Sequence, residues 1–229
     1  MSVHFDSIVS SYTHSMKDLE TVYDQAAELL APIVRDRVVL DVGAGGRFAY
    51  DVSLPAKVIA LDLSANMLAQ IDNPRVEVVV DDASTMHSIP GESVDVAMFC
   101  LVLHHINAAS RVKTLQLLTD TLTVAAEKLR PGGHIVVLEV LLPPWLYWLE
   151  ASLFGLQRMV LRTLKRDMIF LYKPSQVQRR LELILSGKIQ SYRLVLPDWY
   201  DPLAGSFPGK IRIPGSLSPT PFRLFVGKK

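Results

Sequence analysis

The chain has 229 residues, 49% of them hydrophobic, and 24 Lys and Arg balance 23 Asp and Glu to a formal net charge of +1. That apolar content excludes a disordered chain, and the length suits one α/β domain with a sizeable core. The charge balance gives no electrostatic case for a nucleic-acid partner, and the single cysteine, Cys100, excludes an internal disulfide framework or a Cys-rich zinc site.

The N-terminus, Met1-Ser-Val-His-Phe-Asp6, lacks the charged-then-apolar pattern of a signal peptide. No run reaches the ~18 uninterrupted apolar residues of a spanning helix, so a cytoplasmic protein is expected. Ser15 and Asp18 resemble a capping box, after which Leu19, Val22, Ala26, Leu29 and Ile33 recur at helical spacing. Val38–Val42 is short, apolar and rich in β-branched residues, and Gly43-Ala44-Gly45-Gly46 follows it: a buried strand entering a tight turn. Further strands are expected at 57–61, Val76–Val80, 94–102 and 135–141. Between them, 64–71 reads as a short helix and 114–129 as an amphipathic one, stopped by Pro131-Gly132-Gly133. Buried strands alternating with helices predict a doubly wound, mostly parallel sheet. In such sheets ligands sit beyond the carboxyl ends of the strands, which is where chemistry is to be sought.

After Leu142 the pattern changes. Pro143-Pro144 breaks the chain, and 145–164 reads as a helix apolar nearly all round, with Trp145, Tyr147 and Trp148 at its start and Arg158, Arg162, Lys165 and Arg166 on one side. It suits the wall of a hydrophobic pocket, a helix lying on a membrane surface with residues 145–166, or a core or homodimer interface. A helix at 174–184 follows, then strands at 189–196 and 222–226, expected as a C-terminal antiparallel pair. The 197–221 stretch between these strands carries six prolines.

The residues at the strand ends fall in a recognisable order: Asp41-Val-Gly43-Ala-Gly45, Asp62-Leu63-Ser-Ala-Asn-Met67-Leu68, Asp82-Ala83, Leu103-His104-His105, and Leu129-Arg-Pro-Gly-Gly133. Together they resemble the class I S-adenosylmethionine-dependent methyltransferases, in particular the branch acting on small molecules, over roughly residues 41–139. The resemblance implies a Rossmann-like fold and S-adenosylmethionine as cofactor. It implies that Gly43, Ala44 and Gly45 admit the methionine and ribose portions, and that Asp41 orients the loop or touches the amino-acid end. Asp62, about 20 residues beyond Asp41, is where an acid accepts from the ribose hydroxyls. Asp82 and the Ala83 N–H are implied partners of the adenine, with Met67 or Leu68 against its face, and Leu63 and Cys100 are further implied cofactor-binding residues. Tyr12 is implied as a residue closing over the cofactor, where an aromatic face favours a sulfonium. One departure from the family pattern is the adjacency of Gly45 and Gly46, where another residue usually intervenes.

Rival classes fit less well. A nicotinamide fingerprint needs glycine where Phe48 stands. A phosphate-binding loop is absent, because Gly209-Lys210 is followed by Ile211, and no ligand set supports a metal. The remaining alternative is a cofactor-binding or interaction protein of the same fold without transfer activity. The expected organisation is one domain over 1–229: a helical cap at 1–34, a cofactor-binding core at 35–142, a helical lid at 143–188, and terminal strands and loop at 189–229. The expected reaction is in-line displacement by an O, N or C nucleophile of a small, hydrophobic or lipid-like acceptor. His105 and His104 are the candidate general bases, and Glu139 is the next candidate.

Overall fold

The computed structural model describes residues 19–163, 169–200 and 213–229, without the side chains of Arg162 and Tyr200. Five apolar runs become the parallel strands β1 (Val38–Val42), β2 (Lys57–Asp62), β3 (Val76–Val80), β4 (Val94–Cys100) and β5 (Leu129–Val140). Near the C-terminus come β6 (Ile189–Leu194), the short pair β7 (Trp199–Tyr200) and β8 (Ile213–Pro214), and β9 (Phe222–Lys228). The main sheet has the order β3-β2-β1-β4-β5-β9-β6, with β9 antiparallel to both neighbours. This is the Rossmann-like sheet with terminal antiparallel strands that the sequence predicts. The chain builds outward from β1 to β3 and then returns to β4 on the other flank. The switch point therefore lies between the carboxyl ends of β1 and β4.

Burial explains why the central strands are mostly apolar. Four of the five residues of β1 are buried, as are six of the seven in β4, because helices cover both faces of the sheet. On one face α1 (Glu20–Val34) contributes Val22, Ala26, Leu30 and Val34 to a core with Val39, Val96, Met98 and Val136. A single turn, α2 (Ala65–Leu68), follows β2, with the Ser64 hydroxyl accepting the Met67 N–H. On the opposite face lie α3 (Arg111–Lys128), α4 (Pro144–Thr163) and α5 (Pro174–Leu185), which bury Leu118, Leu122, Phe154 and Leu181 against Leu40, Ala97 and Val137. Arg180 ties α5 to α3 through Thr119 Oγ1 at 3.0 Å.

Element boundaries differ from expectation for local reasons. Helix α3 begins before Thr114 because Ser110 caps it, while the Thr114 hydroxyl turns back to accept the Ala108 N–H. Pro131-Gly132-Gly133 does not separate helix from strand. The β5 ladder already starts at Leu129, and its register against β4 slips between the pairs Val94–Leu129 and Val96–His134. A Cβ on Gly133 would stand 2.9 Å from the Asp95 carbonyl oxygen, so the strand can pass there only with glycine. Strand β4 ends at Cys100, two residues early, because Leu101 takes a φ of +52° and redirects the chain. The capping box at Ser15 and Asp18 lies outside the described residues.

Candidate active site

The glycine turn after β1 sits at the switch point. Gly43 has a φ of +69°, and a Cβ there would fall 2.2 Å from Val102 Cγ2. The glycine is thus required by the backbone and by the side chain following β4. Gly45 and Gly46 also have positive φ, so their adjacency is accommodated by two left-handed residues in succession. The Gly45 N–H points to Asp62 Oδ2 at 3.3 Å, and Asp62 Oδ1 accepts the Ser64 N–H at 2.8 Å. Asp62 is therefore bound to the loop it was expected to face, and its partial burial raises the pKa of its carboxyl.

Asp41 is the more unusual group. Its side chain is 1% exposed and neither carboxylate oxygen has a hydrogen-bond partner. Burial pushes its pKa up to about 7; the Tyr50 hydroxyl opposes this and the Asp62 charge adds to it. That hydroxyl itself meets no bonding geometry in the structure. Cys100 lies within electrostatic reach of Asp41, buried, with its thiol pKa raised first by burial and then by the Asp41 and Glu139 charges. Asp41, Asp62 and Cys100 thus gather beneath the glycine turn. Tyr50 joins them although no motif flags it; its only sequence signal is an aromatic shortly after the glycines.

The remaining expected contacts are placed unevenly. Ala44 is buried against Ala60 and Leu68. Met67 is 3% exposed and Leu68 2%, whereas Leu63 beside Asp62 is 45% exposed and offers the apolar surface there. Asp82 is exposed, with Oδ1 accepting both the N–H and the hydroxyl of Ser84 at 2.7 Å. Ala83 packs partly buried against the core, and Tyr12 lies outside the described residues.

Both histidines lie on a 3-10 turn at Leu103–His105, their rings 4.1 Å apart. His104 Nδ1 is 2.7 Å from Glu139 Oε1, and Glu139 is fully buried at the end of β5. The two residues considered as alternative bases are therefore one pair. The segment 169–172 holds this turn from outside: the Phe170 N–H donates to the His104 carbonyl and the Tyr172 hydroxyl to that of Ile106.

Helix α4 has two faces. Tyr147 and Phe154 point inward and pack on Phe170 in edge-to-face contacts at 6.0 and 5.7 Å. Trp145, Trp148, Leu149, Leu156 and Met159 are exposed. A cavity of about 510 Å³ opens along the helix beside Gly155, Arg158, Met159 and Thr163. Arg158 reaches from it to the Ala108 carbonyl, just beyond the histidine turn. Among the described residues no group of His, Cys, Asp and Glu is suited to hold a metal ion, and no helix is long and apolar enough to cross a membrane.

Comparison with known proteins bears on this arrangement directly. Residues 40–137, the stretch from β1 into β5 that carries every motif above, match the methyltransferase domain family. Over that stretch the chain is similar to the methyltransferase domain family. Its fold recurs in a Haloferax volcanii protein solved in complex with the Trm112 methyltransferase activator (16% identity, 98% of each chain covered, TM-score 0.66). A SAM-dependent methyltransferase from Thermotoga maritima is equally similar (16% identity, 100% and 99% covered, TM-score 0.66). A third relative in fold is the 1,6-didemethyltoxoflavin-N1-methyltransferase of Burkholderia thailandensis, solved with its substrate and S-adenosylhomocysteine (16% identity, 100% and 90% covered, TM-score 0.54). No curated protein matches the chain. The match ends within β5, so α4, α5 and the terminal strands lie beyond the matched stretch.

Proposed function

We propose that this domain catalyses S-adenosylmethionine-dependent methyl transfer to a small, hydrophobic or amphipathic acceptor. The observation that carries the reading is the Asp41 carboxylate, buried and unpartnered beside Asp62 under the glycine turn. A buried anion lacking hydrogen bonds is costly unless a ligand supplies donors or positive charge. S-adenosylmethionine, when bound, supplies the transferable methyl group on a cationic sulfonium and carries an amino group as well. A dinucleotide would instead bring anionic phosphates toward two carboxylates.

On this reading Gly43, Ala44 and Gly45 leave the backbone open to the cofactor, Asp41 faces its amino-acid end, and Asp62 accepts from the ribose. Asp82 and Ala83 flank the adenine, Leu63 and Met67 lie along its face, Cys100 lines the floor and Tyr12 closes over it. The domain's division of labour follows: cap at 1–34, core at 35–142, lid at 143–188, terminal strands and loop at 189–229. Asp62→Ala is expected to weaken S-adenosylmethionine binding about ten- to a hundredfold, the ~1–3 kcal/mol of an interaction that leaves a buried partner unmatched. Titration calorimetry on a variant that keeps its fold tests this, and wild-type affinity would remove Asp62 from the site. A chain that binds S-adenosylmethionine yet transfers methyl to nothing in a broad acceptor screen would be the cofactor-binding protein instead.

The acceptor is assigned to the groove along α4 beside Gly155, Arg158, Met159 and Thr163, supported by the Arg158 bridge to the histidine turn. Phe154→Ala should raise the acceptor KM and lower stability by ~3 kcal/mol, the usual loss for a buried phenylalanine, with cofactor affinity intact. The exposed stripe on the outer face supports a second role, peripheral contact with anionic membrane, because Arg111 and Lys173 lie over the Trp148 ring at 5.5 and 4.8 Å. Trp148→Ala should then reduce sedimentation with anionic vesicles and leave methyl transfer unchanged. Light scattering that shows a stable dimer broken by the same substitution would assign the face to a second copy.

A further inference from the structure

The Glu139 carboxylate is enclosed and surrounded by donors. It is 0% exposed, and Oε1 accepts the Val140 N–H at 2.9 Å while Oε2 faces the His104 N–H at 3.3 Å. An ionised carboxylate can only accept, so the ring nitrogen 2.7 Å from Oε1, His104 Nδ1, is the one that carries hydrogen. That leaves the lone pair on Nε2. Nε2 has no hydrogen-bond partner among the described residues, and the imidazole side chain keeps 12% of its surface open.

The position of this nitrogen is set by the backbone. Val102, two residues before His104, is the side chain a Cβ on Gly43 would strike. Leu101 holds a left-handed φ of +52° that turns the chain off β4, and such strain in a non-glycine residue persists only where its surroundings enforce it. The enforcement is visible: the Leu101 N–H donates to the Leu138 carbonyl, and the Phe170 N–H donates to the His104 carbonyl. The backbone that carries His104 is thus held by β5 and by Phe170, and the ring itself by Glu139.

We infer that Glu139 is a positioning residue that sets His104 Nε2 as a proton acceptor, and that the group methylated is accordingly a hydroxyl, phenolic or enolic, rather than an amine. The inference rests on the methyl-transfer reading above. A neutral amine already presents its lone pair to the methyl carbon and needs no base before attack. A hydroxyl becomes a competent nucleophile as its proton leaves. The acceptor O–H gives its proton to Nε2 while its oxygen bonds to the methyl carbon, and the sulfur–methyl bond breaks with its electron pair going to sulfur. The positive charge lost from the sulfonium reappears on the imidazolium, next to the Glu139 carboxylate that stabilises it.

The test combines ring tautomer and kinetics. In ¹⁵N-labelled protein with S-adenosylhomocysteine, His104 should show a single Nδ1–H tautomer, assigned by its loss in His104→Asn. Glu139→Gln can offer an amide N–H to Nδ1 and should populate the Nε2–H form. With a labelled methyl donor, the probes are phenol, catechol, 1-naphthol, 2-hydroxy-1,4-naphthoquinone and benzylamine. Turnover of hydroxyl probes is expected, with kcat lowered on the order of 10²–10⁴-fold in His104→Asn and Glu139→Gln and donor KM unchanged. Glu139→Asp, with retained thermal stability, should recover part of the rate. An Nε2–H tautomer in wild type, undiminished kcat in His104→Asn, or benzylamine as the only probe methylated would each overturn the inference. So would turnover of no hydroxyl probe by protein that binds the donor. Absence of donor binding in wild type would instead strike the methyl-transfer reading and leave the tautomer result to judge the pair.

Discussion

Gly43→Val is expected to abolish S-adenosylmethionine binding and to destabilise the fold by ~2–6 kcal/mol. Two independent penalties contribute. The backbone φ of +69° is one that a β-branched residue adopts only under strain, at ~1–3 kcal/mol. The new Cβ would also lie 2.2 Å from Val102 Cγ2, an overlap that must be relieved by moving the loop or β4, typically at another ~1–3 kcal/mol. The sequence resemblance attributes this glycine to space the cofactor needs. The structure adds that its own chain already fills the space where the side chain would go. The loss of binding would therefore arise through displacement of the Gly43–Gly45 turn, and with it the Gly45 N–H to Asp62 contact. Gly43→Ala together with Val102→Gly separates the terms, since removing the Val102 Cβ, 2.8 Å from the added Cβ, restores room but not backbone freedom. Chemical denaturation and calorimetry on these variants read both. A folded Gly43→Val protein with normal cofactor affinity would show that the turn is not the cradle.

The strands were legible because helices cover both faces of the sheet, so burial makes β1, β2 and β4 mostly apolar, with the acids Asp41, Asp62 and Asp95 toward their ends. Their ends were less so. Leu101 carries no turn signature, yet it ends β4, and Pro131-Gly132-Gly133 carries a strong one, yet lies within the ladder of β5. In both places tertiary hydrogen bonds outweigh local preference. The acids at the ends of β1 and β2 were indicated by the family resemblance together with their spacing, and neighbouring parallel strands bring Asp41 and Asp62 to one rim of the sheet. The pairing of His104 with Glu139 could not. The two are 35 residues apart and meet only because β4 and β5 are adjacent and Leu101 turns the chain back toward β5. Helix α4 looks apolar on every side in sequence, and only packing divides Tyr147 and Phe154, against Phe170, from the exposed Trp148 and Met159.

Asp41 makes the second large prediction, because its burial links cofactor binding to pH. Its folded pKa is raised to about 7 from the model-peptide value of 3.8, by desolvation first and by the Asp62 charge next. The folded state thus holds this proton more tightly than the unfolded one. Its contribution to stability is complete below about pH 4 and is lost as pH rises through about 7. The difference corresponds to as much as ~4 kcal/mol, at ~1.4 kcal/mol per pKa unit. Asp41→Asn should therefore gain stability relative to wild type on going from pH 4 to pH 8, and comparing the two proteins cancels the parallel effect of Glu150, also raised to about 7 by burial. Cofactor binding should move the opposite way. If a cationic ligand pairs with the ionised carboxylate, wild-type affinity tightens from pH 5 to 7 by up to ~10-fold per unit and then levels, with proton release at pH 6. Asp41→Asn should bind more weakly at pH 8 and show neither the slope nor the proton release. Calorimetry in two buffers of different ionisation enthalpy measures that proton count, and equal counts for both proteins would mean that Asp41 stays protonated and serves only the fold.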